Sequence, residues 1–449
     1  MSVVPAPGLI IAAPASGSGK TIFTLGLLRA LRRDGRAVAS AKVGPDYIDP
    51  AFHAAATGRP CLNLDGWAMR PATLSARVAE LAERSDLIVC EGVMGLFDGA
   101  DVPDGQRSGS TAEVAAATGW PVLLLVDLRG QAASAAALID GFRRHRPDIR
   151  IAGVVFNRIG GPGHRAMVER ACTTTCPDLP LLGWLPRQAA LAWPERHLGL
   201  VQAEETHGLE ARLDAVAETV VAHADIRRIA ALARPSPLTA SAGSVPLPPL
   251  GQRIAVARDE AFTFAYPAVL DGWRRAGAEI HFFSPLADQP PAIDADAVYL
   301  PGGYPELHGG RLAAAAHYLA GLRRAAAAGC WILGECGGYM ALGEGLEDAV
   351  GNRHAMAGLL PLASSVKTRR LHLGYRRIRL AAATPLGEVG AGFRGHEFHY
   401  ATFSAPQTDR PLFAVSDAAG RAQAAAGHCV GTVAGSFIHL LDSEDAESV

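Results

Sequence analysis

The segment Gly8–Thr21, GLIIAAPASGSGKT, decides how the first half of the chain is read. An apolar run passes into Ala, Pro, Ser and Gly, ends on Gly19-Lys20-Thr21, and is followed at once by an apolar helical pattern. A strand, a small-residue loop and a helix in that order turn backbone N–H groups and a helix N-terminus toward an anion. Ser16, Gly17, Ser18 and Gly19 then form a phosphate cradle, Lys20 reaches the β- and γ-phosphates of ATP, and the Thr21 hydroxyl holds Mg²⁺. The strict form of this loop has a glycine where the chain has Pro14. The alternative is a Ser/Gly-rich strand-to-helix turn with an incidental Gly-Lys-Thr.

Outward from this segment, short apolar runs alternate with helical patterns. AVASAKV, DLIVCEG, PVLLLVD and IAGVVFN read as strands, and Lys20–Asp34, Pro71–Arg84 and Thr111–Thr118 as helices. That rhythm predicts a parallel sheet with helices on both faces. A Pro-, Ser- and Gly-rich stretch breaks it, and the alternation then restarts with RIAVARD, a helix over Tyr266–Ala276, EIHFFSP, AVYLPGG, a helix over Leu312–Ala328 and CWILGEC. The expected architecture is two doubly wound α/β domains: a nucleotide-binding domain over residues 1–232, a linker over 233–250, and a second domain over 251–449 whose last third is strand-rich.

Composition narrows the function classes. The 449 residues are 49% hydrophobic and 19% charged, with a formal net charge of −2, so no polyelectrolyte surface for nucleic acid is expected. Seven irregularly spaced cysteines argue against a disulfide framework and for a reducing compartment. Cys172 and Cys176 are the closest pair, and no second Cys/His pair accompanies them as a zinc site requires. GLIIAAPASG has no basic region before it and is too short for a signal or membrane segment, so a cytoplasmic protein without membrane partners is expected.

A magnesium nucleotide needs carboxylates at the carboxyl ends of neighbouring strands. Glu91 directly follows one strand and Asp98 lies seven residues on; Asp46 and Asp49 fall in a loop after another. For Asp49 a solvated turn residue or helix cap is an equal reading. Together with the loop, KVGPDYIDPAFH, EGVMGLFDG and NRIGGPGH resemble the synthetase fold shared with dethiobiotin synthetase and, more closely, the cobyrinate a,c-diamide synthases of corrinoid biosynthesis. The resemblance implies that ATP converts a substrate carboxylate to an acyl phosphate, which ammonia attacks. It places acidic residues of the reaction centre at Asp46, Glu91 and Asp98, gives Mg²⁺ to Thr21 and Glu91, and has Asn157 read the adenine edge.

In the second domain, WILGECGGYM (Trp331–Met340) reads as a strand, a Gly-x-Cys-x-Gly turn and a helix start. Such an elbow exposes a nucleophile in a strained backbone, and the helix N-terminus lowers the thiol pKa. The N–H groups of Gly303, in PGGYPE, and Gly337 could form an oxyanion hole. A buried structural cysteine in a tight turn is the alternative. A nucleophilic Cys336 needs a base, and GSFIHLL places His439 at the end of a late strand. PGGYPE, GECGGYM and GSFIH together resemble the class I glutamine amidotransferase domain. The resemblance implies that Cys336 attacks glutamine and His439 passes the proton to the departing ammonia, which travels through a passage between the domains.

Relatives of this type commonly carry glutamate two residues after the histidine, where this chain has Leu441. A regular strand would point the next residue, Asp442, the other way. The expectation is therefore a Cys–His dyad whose imidazole is oriented by a backbone group or another side chain, with Glu335 not expected to serve. Arg394, His396, Glu397 and His399, within FRGHEFHY, read either as a polar strand or as support for substrate or the glutaminase site; their spacing matches no common zinc set.

The resemblance thus implies ATP- and glutamine-dependent amidation of the a and c acetates of a cobyrinic or hydrogenobyrinic acid, a corrinoid polycarboxylate that Arg369–Arg370 and Arg376–Arg377 could meet. A homodimer is compatible with it. The alternatives are the same chemistry on another tetrapyrrole, such as Ni-sirohydrochlorin, or on other side chains of the corrin. From a different class comes a P-loop regulatory ATPase with an inert amidotransferase-like domain.

Overall fold

The computed structural model describes residues 5–188, 193, 195–196, 199–200, 202–203, 205–239, 244–404 and 411–444. The chain divides into two compact units. The first comprises Met1–Trp67, Leu74–Ala100 and Asp104–Ala242; the second comprises Ala68–Thr73, Asp101–Pro103 and Gly243–Val449.

The first unit is built on β1 (Gly8–Ala12), β2 (Val38–Val43), β3 (Leu62–Leu64), β4 (Leu87–Glu91), β5 (Val122–Asp127), β6 (Ile151–Ile159) and β7 (Leu181–Pro186), in the spatial order β3-β2-β4-β1-β5-β6-β7. All of these pairings are parallel, and β1, β2 and β4 are buried along their whole length, as continuous apolar strands covered on both faces require. The helices are α1 (Lys20–Arg33), α2 (Asp49–Thr57), α3 (Pro71–Glu83), α4 (Thr111–Thr118), α5 (Ser134–His145), α6 (Pro162–Thr175), α7 (Leu209–His223) and α8 (Ile226–Ala231). Phe23, Leu27 and Leu31 give α1 a buried stripe, and Gly26 lets α7 approach: a methyl there would lie 2.6 Å from Val220 Cγ2. A two-strand ribbon, β8 (Glu195–Arg196) with β9 (Gly199–Leu200), completes the unit's strands among the described residues.

The second unit contains a six-stranded sheet of β10 (Arg253–Ala257), β11 (Glu279–Phe283), β12 (Ala297–Leu300), β13 (Trp331–Glu335), β21 (His428–Val430) and β22 (Val433–Ser436), ordered β11-β10-β12-β13-β22-β21. Its pairs are parallel except β21–β22. The helices α9 (Pro267–Arg275), α10 (Gly309–Ala314), α11 (Ala316–Ala327) and α12 (Gly337–Leu342) belong to this unit. The strand-rich last third forms two four-stranded sheets. One orders β15 (Arg353–Ala355), β14 (Gly345–Glu347), β16 (Ala363–Ser365) and β19 (Thr402–Ser404); the other orders β20 (Phe413–Asp417), β17 (His372–Leu380), β18 (Gly392–His399) and β23 (Ile438–Ser443).

Two local expectations change. The single helix over Leu312–Ala328 is two helices, because Ala315 leaves helical geometry at ψ 76°. Asp49 is the first residue of α2 rather than a loop residue, since Pro50 suits the first helical turn. The segment 233–250, of which 240–243 lie outside the described residues, is held at both ends. Arg234 exchanges backbone hydrogen bonds with Gly8, while in the second unit Trp273 Nε1 donates to Pro248 O and Leu247 and Leu250 are buried. No described helix is long and apolar enough to cross a membrane, and all seven cysteines are free.

Candidate active sites

In the first unit the chemistry gathers where β1, β2 and β4 end. Gly17 and Gly19 have φ of 72° and 94°, a region glycine enters without strain, and this turns the loop into α1. A methyl on Gly19 would lie 2.4 Å from the Asn157 amide, so the fold brings Asn157 onto the loop. Its Nδ2 donates to Ser18 O at 2.8 Å and its Oδ1 accepts from Arg158 N at 2.9 Å. Asn157 thus fixes the cradle. It also lines a cleft of about 470 Å³ beside α1, with Ile22, Phe23, Leu185 and Pro186 on its apolar walls.

Lys20 donates to the carbonyls of Met94 and Ala15. Burial is the main cause that lowers its pKa, to about 8, against the pull of Glu91. Thr21 Oγ1 donates to Glu91 Oε1 at 2.7 Å and lies 3.2 Å from Asp49 Oδ2. Behind them, Lys42 Nζ donates to Asp49 Oδ2 at 2.6 Å and Glu91 Oε1 at 2.8 Å, and His53 Nε2 meets Glu91 Oε2 at 2.7 Å. The parallel register sets this up: Lys42 and Glu91 are direct partners on β2 and β4. Burial alone would push the Glu91 carboxyl up, but Lys42 and His53 together hold it well below the usual carboxylate range. Burial likewise opposes the charge on Lys42, yet Asp49, Glu91 and Asp46 raise its pKa well above the ordinary value. His53 is raised to about 10: burial, which lowers it, is outweighed by Cys61 at 3.5 Å and by Glu91.

Asp46 and Asp98 sit differently. Asp46 Oδ1 accepts from the N–H groups of Ile48 and Asp49 and so caps the entry to α2; burial and the neighbouring Asp49 charge raise its pKa to about 7. Asp98 accepts from Gly95 N at 2.9 Å and closes the turn after Glu91. The residues at the centre that sequence reasoning missed or undervalued are Lys42, Asp49 and His53. The legible signal was a lysine at the carboxyl end of an apolar strand.

The Thr21 hydroxyl, Asp49 and Glu91 make an all-oxygen donor set of the kind a hard divalent cation takes, so these residues fit Mg²⁺. Removing Lys42 would leave the buried Glu91 and the half-buried Asp49 short of their cation. Lys42→Met is therefore expected to cost about 3–5 kcal/mol of stability, read from the denaturant midpoint of the first unit's unfolding. Because Glu91 is depressed, the stability it contributes is present above an ordinary carboxylate pKa of about 4 and is lost as the pH falls further.

In the second unit Cys336 follows β13 directly, and its φ of 47° and ψ of −107° are rare for a residue with a side chain. The glycines around it are required by space. A methyl on Gly337 would lie 2.9 Å from Gly303 N, so the two backbone segments read as an oxyanion hole are adjacent. A methyl on Gly302 would lie 2.5 Å from His439 Cε1, 3.2 Å from its Nε2 and 3.3 Å from Cys336 Cβ, which brings imidazole and cysteine to one point.

Two expectations for the thiol are overturned. Cys336 is buried, at 5% exposure, rather than exposed. Its pKa is pushed up, not down, because burial and then Glu306 outweigh the Gly337 N–H that faces the sulfur, and α12 is only six residues long.

His439 does not end a continuous late strand. β22 stops at Ser436, whose Oγ accepts from Ile438 N at 3.1 Å, and the chain turns at Phe437 into β23 of another sheet. Phe437 is held there by rings of Tyr339, His399 and Phe403, with centroids 5.2, 4.1 and 5.3 Å away. The regular alternation expected at Asp442 is broken: a bulge leaves Leu441 without a β18 partner and sets Asp442 opposite Arg394 and His439 opposite His396, and the Asp442 carboxylate accepts from Arg70 N, Nε and Nη2 at 2.8, 3.1 and 2.8 Å. Glu335, which the sequence did not mark as a partner of the histidine, has its Oε2 3.8 Å from His439 Nδ1. Inspection of the elbow alone could not reveal this, because the approach depends on the sheet change at Phe437.

FRGHEFHY is β18, a mostly buried polar strand. Arg394 pairs with Glu444, and Glu397 pairs with Arg376 at 2.8 Å and with His399 at 3.0 Å. Donor atoms of His372, Glu397 and His399 lie within 4.8 Å of one another, a grouping that spacing within one octapeptide conceals because His372 comes from β17. Burial lowers the pKa of His396 to about 3, and that of His439 likewise to about 3.

A nucleotide-binding α/β unit and a unit with a cysteine elbow define a two-part, ATP-dependent amidotransferase. Family models agree: residues 9–201 match the CobQ/CobB/MinD/ParA nucleotide binding domain, and residues 253–446 match the CobB/CobQ-like glutamine amidotransferase domain. Hydrogenobyrinate a,c-diamide synthases are similar over nearly the whole chain. The protein from Rhodobacter capsulatus is 54% identical over 436 residues, covering 97% of this chain and 98% of its own; that from Brucella suis is 52% identical over 439, with the same coverage; that from Rhizobium meliloti is 52% identical, covering 97% and 99%. The chain belongs to the hydrogenobyrinate a,c-diamide synthase family. It is accordingly a ligase that forms C–N bonds with ATP and with glutamine as amido donor.

Proposed function

We propose that this protein converts the a and c acetate carboxylates of hydrogenobyrinic acid to carboxamides, a step of cobalamin biosynthesis. The observation that carries the proposal is the division of labour between units: Lys20, Thr21 and Glu91 gather at a phosphate loop, while Cys336 and His439 meet beside Gly302. In the second unit the Cys336 sulfur attacks the glutamine carboxamide carbon. His439 takes the thiol proton and delivers it to the departing ammonia, and water then releases glutamate from the thioester. Gly303 and Gly337 donate N–H groups to the oxyanion that develops.

In the first unit the substrate carboxylate takes the γ-phosphoryl of ATP, giving ADP and an acyl phosphate; ammonia then attacks the acyl carbon, forming the C–N bond and expelling phosphate. Ser16, Gly17, Ser18 and Gly19 cradle the phosphates and Lys20 neutralises the transferring group. Asn157 and the cleft beside α1 receive the base. Thr21, Glu91 and Asp49 would hold Mg²⁺, which supplies charge neutralisation on the phosphates. Asp46 and Asp98 shape the loops around this centre and supply negative charge to it.

Identity above 50% to hydrogenobyrinate enzymes favours the metal-free ring over the cobalt form and over Ni-sirohydrochlorin. The pairing of Cys336 with His439 favours an active glutaminase over a regulatory ATPase. A homodimer and a cytoplasmic setting complete the proposal, the first by resemblance and the second by seven free cysteines. The test supplies purified protein with ATP, Mg²⁺ and glutamine, and with hydrogenobyrinic or cobyrinic acid. Mass spectrometry is expected to find the diamide of hydrogenobyrinic acid with glutamate released in step; no amidation of either acid would overturn the reading.

A further inference from the structure

The position that commonly carries the acid of a Cys–His–acid site is Leu441, and the neighbouring Asp442 is bound by Arg70. Yet a carboxylate does reach the imidazole from a different strand. Glu335 ends β13, immediately before Cys336, and β13 runs parallel to β22 with Glu335 opposite Ser436. From there its Oε2 comes to 3.8 Å from His439 Nδ1. Two further bonds hold the carboxylate: Tyr299 OH donates to Oε2 at 2.8 Å, and Leu440 N, the residue after His439, donates to Oε1 at 3.1 Å. The two ring nitrogens therefore face different groups. Nε2 lies on the side shared with Gly302 and Cys336, and Nδ1 lies on the side of Glu335. That is the polarity a base needs if one nitrogen handles the substrate proton while an acid steadies the other.

We propose that Glu335 is the positioning carboxylate of His439, doing from the elbow itself what an acid at position 441 would do from β23. The inference rests on Cys336 and His439 being the glutaminase pair. Glu335 does not touch substrate. It orients the imidazole and stabilises the imidazolium that forms as the thiol proton moves. The side chain is well placed to hold this orientation, because a single carboxylate ties together β12 through Tyr299, β13 through its own backbone, and β23 through Leu440.

Charge at Glu335 is adjustable. Burial pushes its pKa up to about 7, against the hydrogen bonds from Tyr299 and Leu440. The titratable groups around it are Tyr299 of β12, Cys336 beside it, itself faced by Glu306 and Glu397, and His439 of β23, the last faced by Tyr266 and by His396, Glu397 and His399 of β18. Ionised Glu335 favours the imidazolium, so glutaminase turnover should rise as the pH passes through about 7. Tyr299 favours the ionised form by donating to it, so its loss should move that rise to higher pH.

The test compares wild type, Glu335→Gln, Tyr299→Phe and Cys336→Ala as full-length protein, measuring glutamate release and ammonia-driven amidation on the same preparations. Glu335→Gln is expected to lower kcat for glutamine hydrolysis roughly 10²-fold, with KM little changed, ammonia-driven activity intact and the rise near neutrality gone. Tyr299→Phe should keep the rise but displace it upward. Wild-type turnover in Glu335→Gln, or a loss that leaves the pH profile unaltered, would overturn the inference. An equal loss of ammonia-driven amidation would also overturn it, by marking a folding defect. Glutamine hydrolysis that survives in Cys336→Ala would instead bring down the glutaminase reading on which the inference stands.

Discussion

Cys336→Ala is expected to abolish amidation from glutamine, by roughly 10⁴-fold or more, while leaving amidation from added ammonium salt near the wild-type rate. The reason is chemical separation. The thiol makes ammonia and takes no part in activating the carboxylate, which depends on Lys20, Thr21 and Glu91 in the other unit. Burial of the thiol sharpens the expectation: since Cys336 is held above the ordinary cysteine pKa, it acts only with proton transfer to His439, and no other described cysteine sits in an elbow beside an imidazole. Assays of glutamate and of the amide product, run with each nitrogen source, give the answer. If the alanine variant lost both activities together, the two-site account would be wrong.

Lys20→Ala should produce the complementary result, with both nitrogen sources failing. Lys20 donates to the loop carbonyl of Ala15, and a missing charge at a transferring phosphoryl group costs about 10²–10³-fold in kcat. Glutamine and ammonia converge on one acyl phosphate, so neither can bypass the loss. ADP formation in the presence of the corrinoid acid is the direct measurement. Ammonia-dependent turnover at the wild-type rate would remove Lys20 from the reaction.

Much of the architecture was legible because the first unit follows local rules. GLIIA, VLLLVD and their neighbours are strands that need no alternation, and the helix at Thr111–Thr118 lies between Ser110, whose side chain caps it, and Gly119 in the left-handed region. The phosphate loop and the elbow were legible for the same reason: each is a strand, a small-residue turn and a helix in unbroken sequence. What escaped was assembled across strands. Lys42 reaches Glu91 because β2 lies beside β4, His53 reaches it from α2, and His372 joins Glu397 and His399 through the pairing of β17 with β18. Glu335 was set aside because the acid was sought on the strand of the histidine. The linear pattern carries no information about which strand supplies it.

The turn at Phe437 has a bearing on how the glutaminase pair is kept in register. Cys336 hangs from a parallel sheet and His439 from an antiparallel one, so neither hydrogen-bond ladder by itself sets the gap between sulfur and imidazole. That gap is a joint property of two frameworks, pinned where one phenyl ring is wedged among Tyr339, His399 and Phe403. Phe437 therefore stands at the joint between the framework that carries the nucleophile and the one that carries the base.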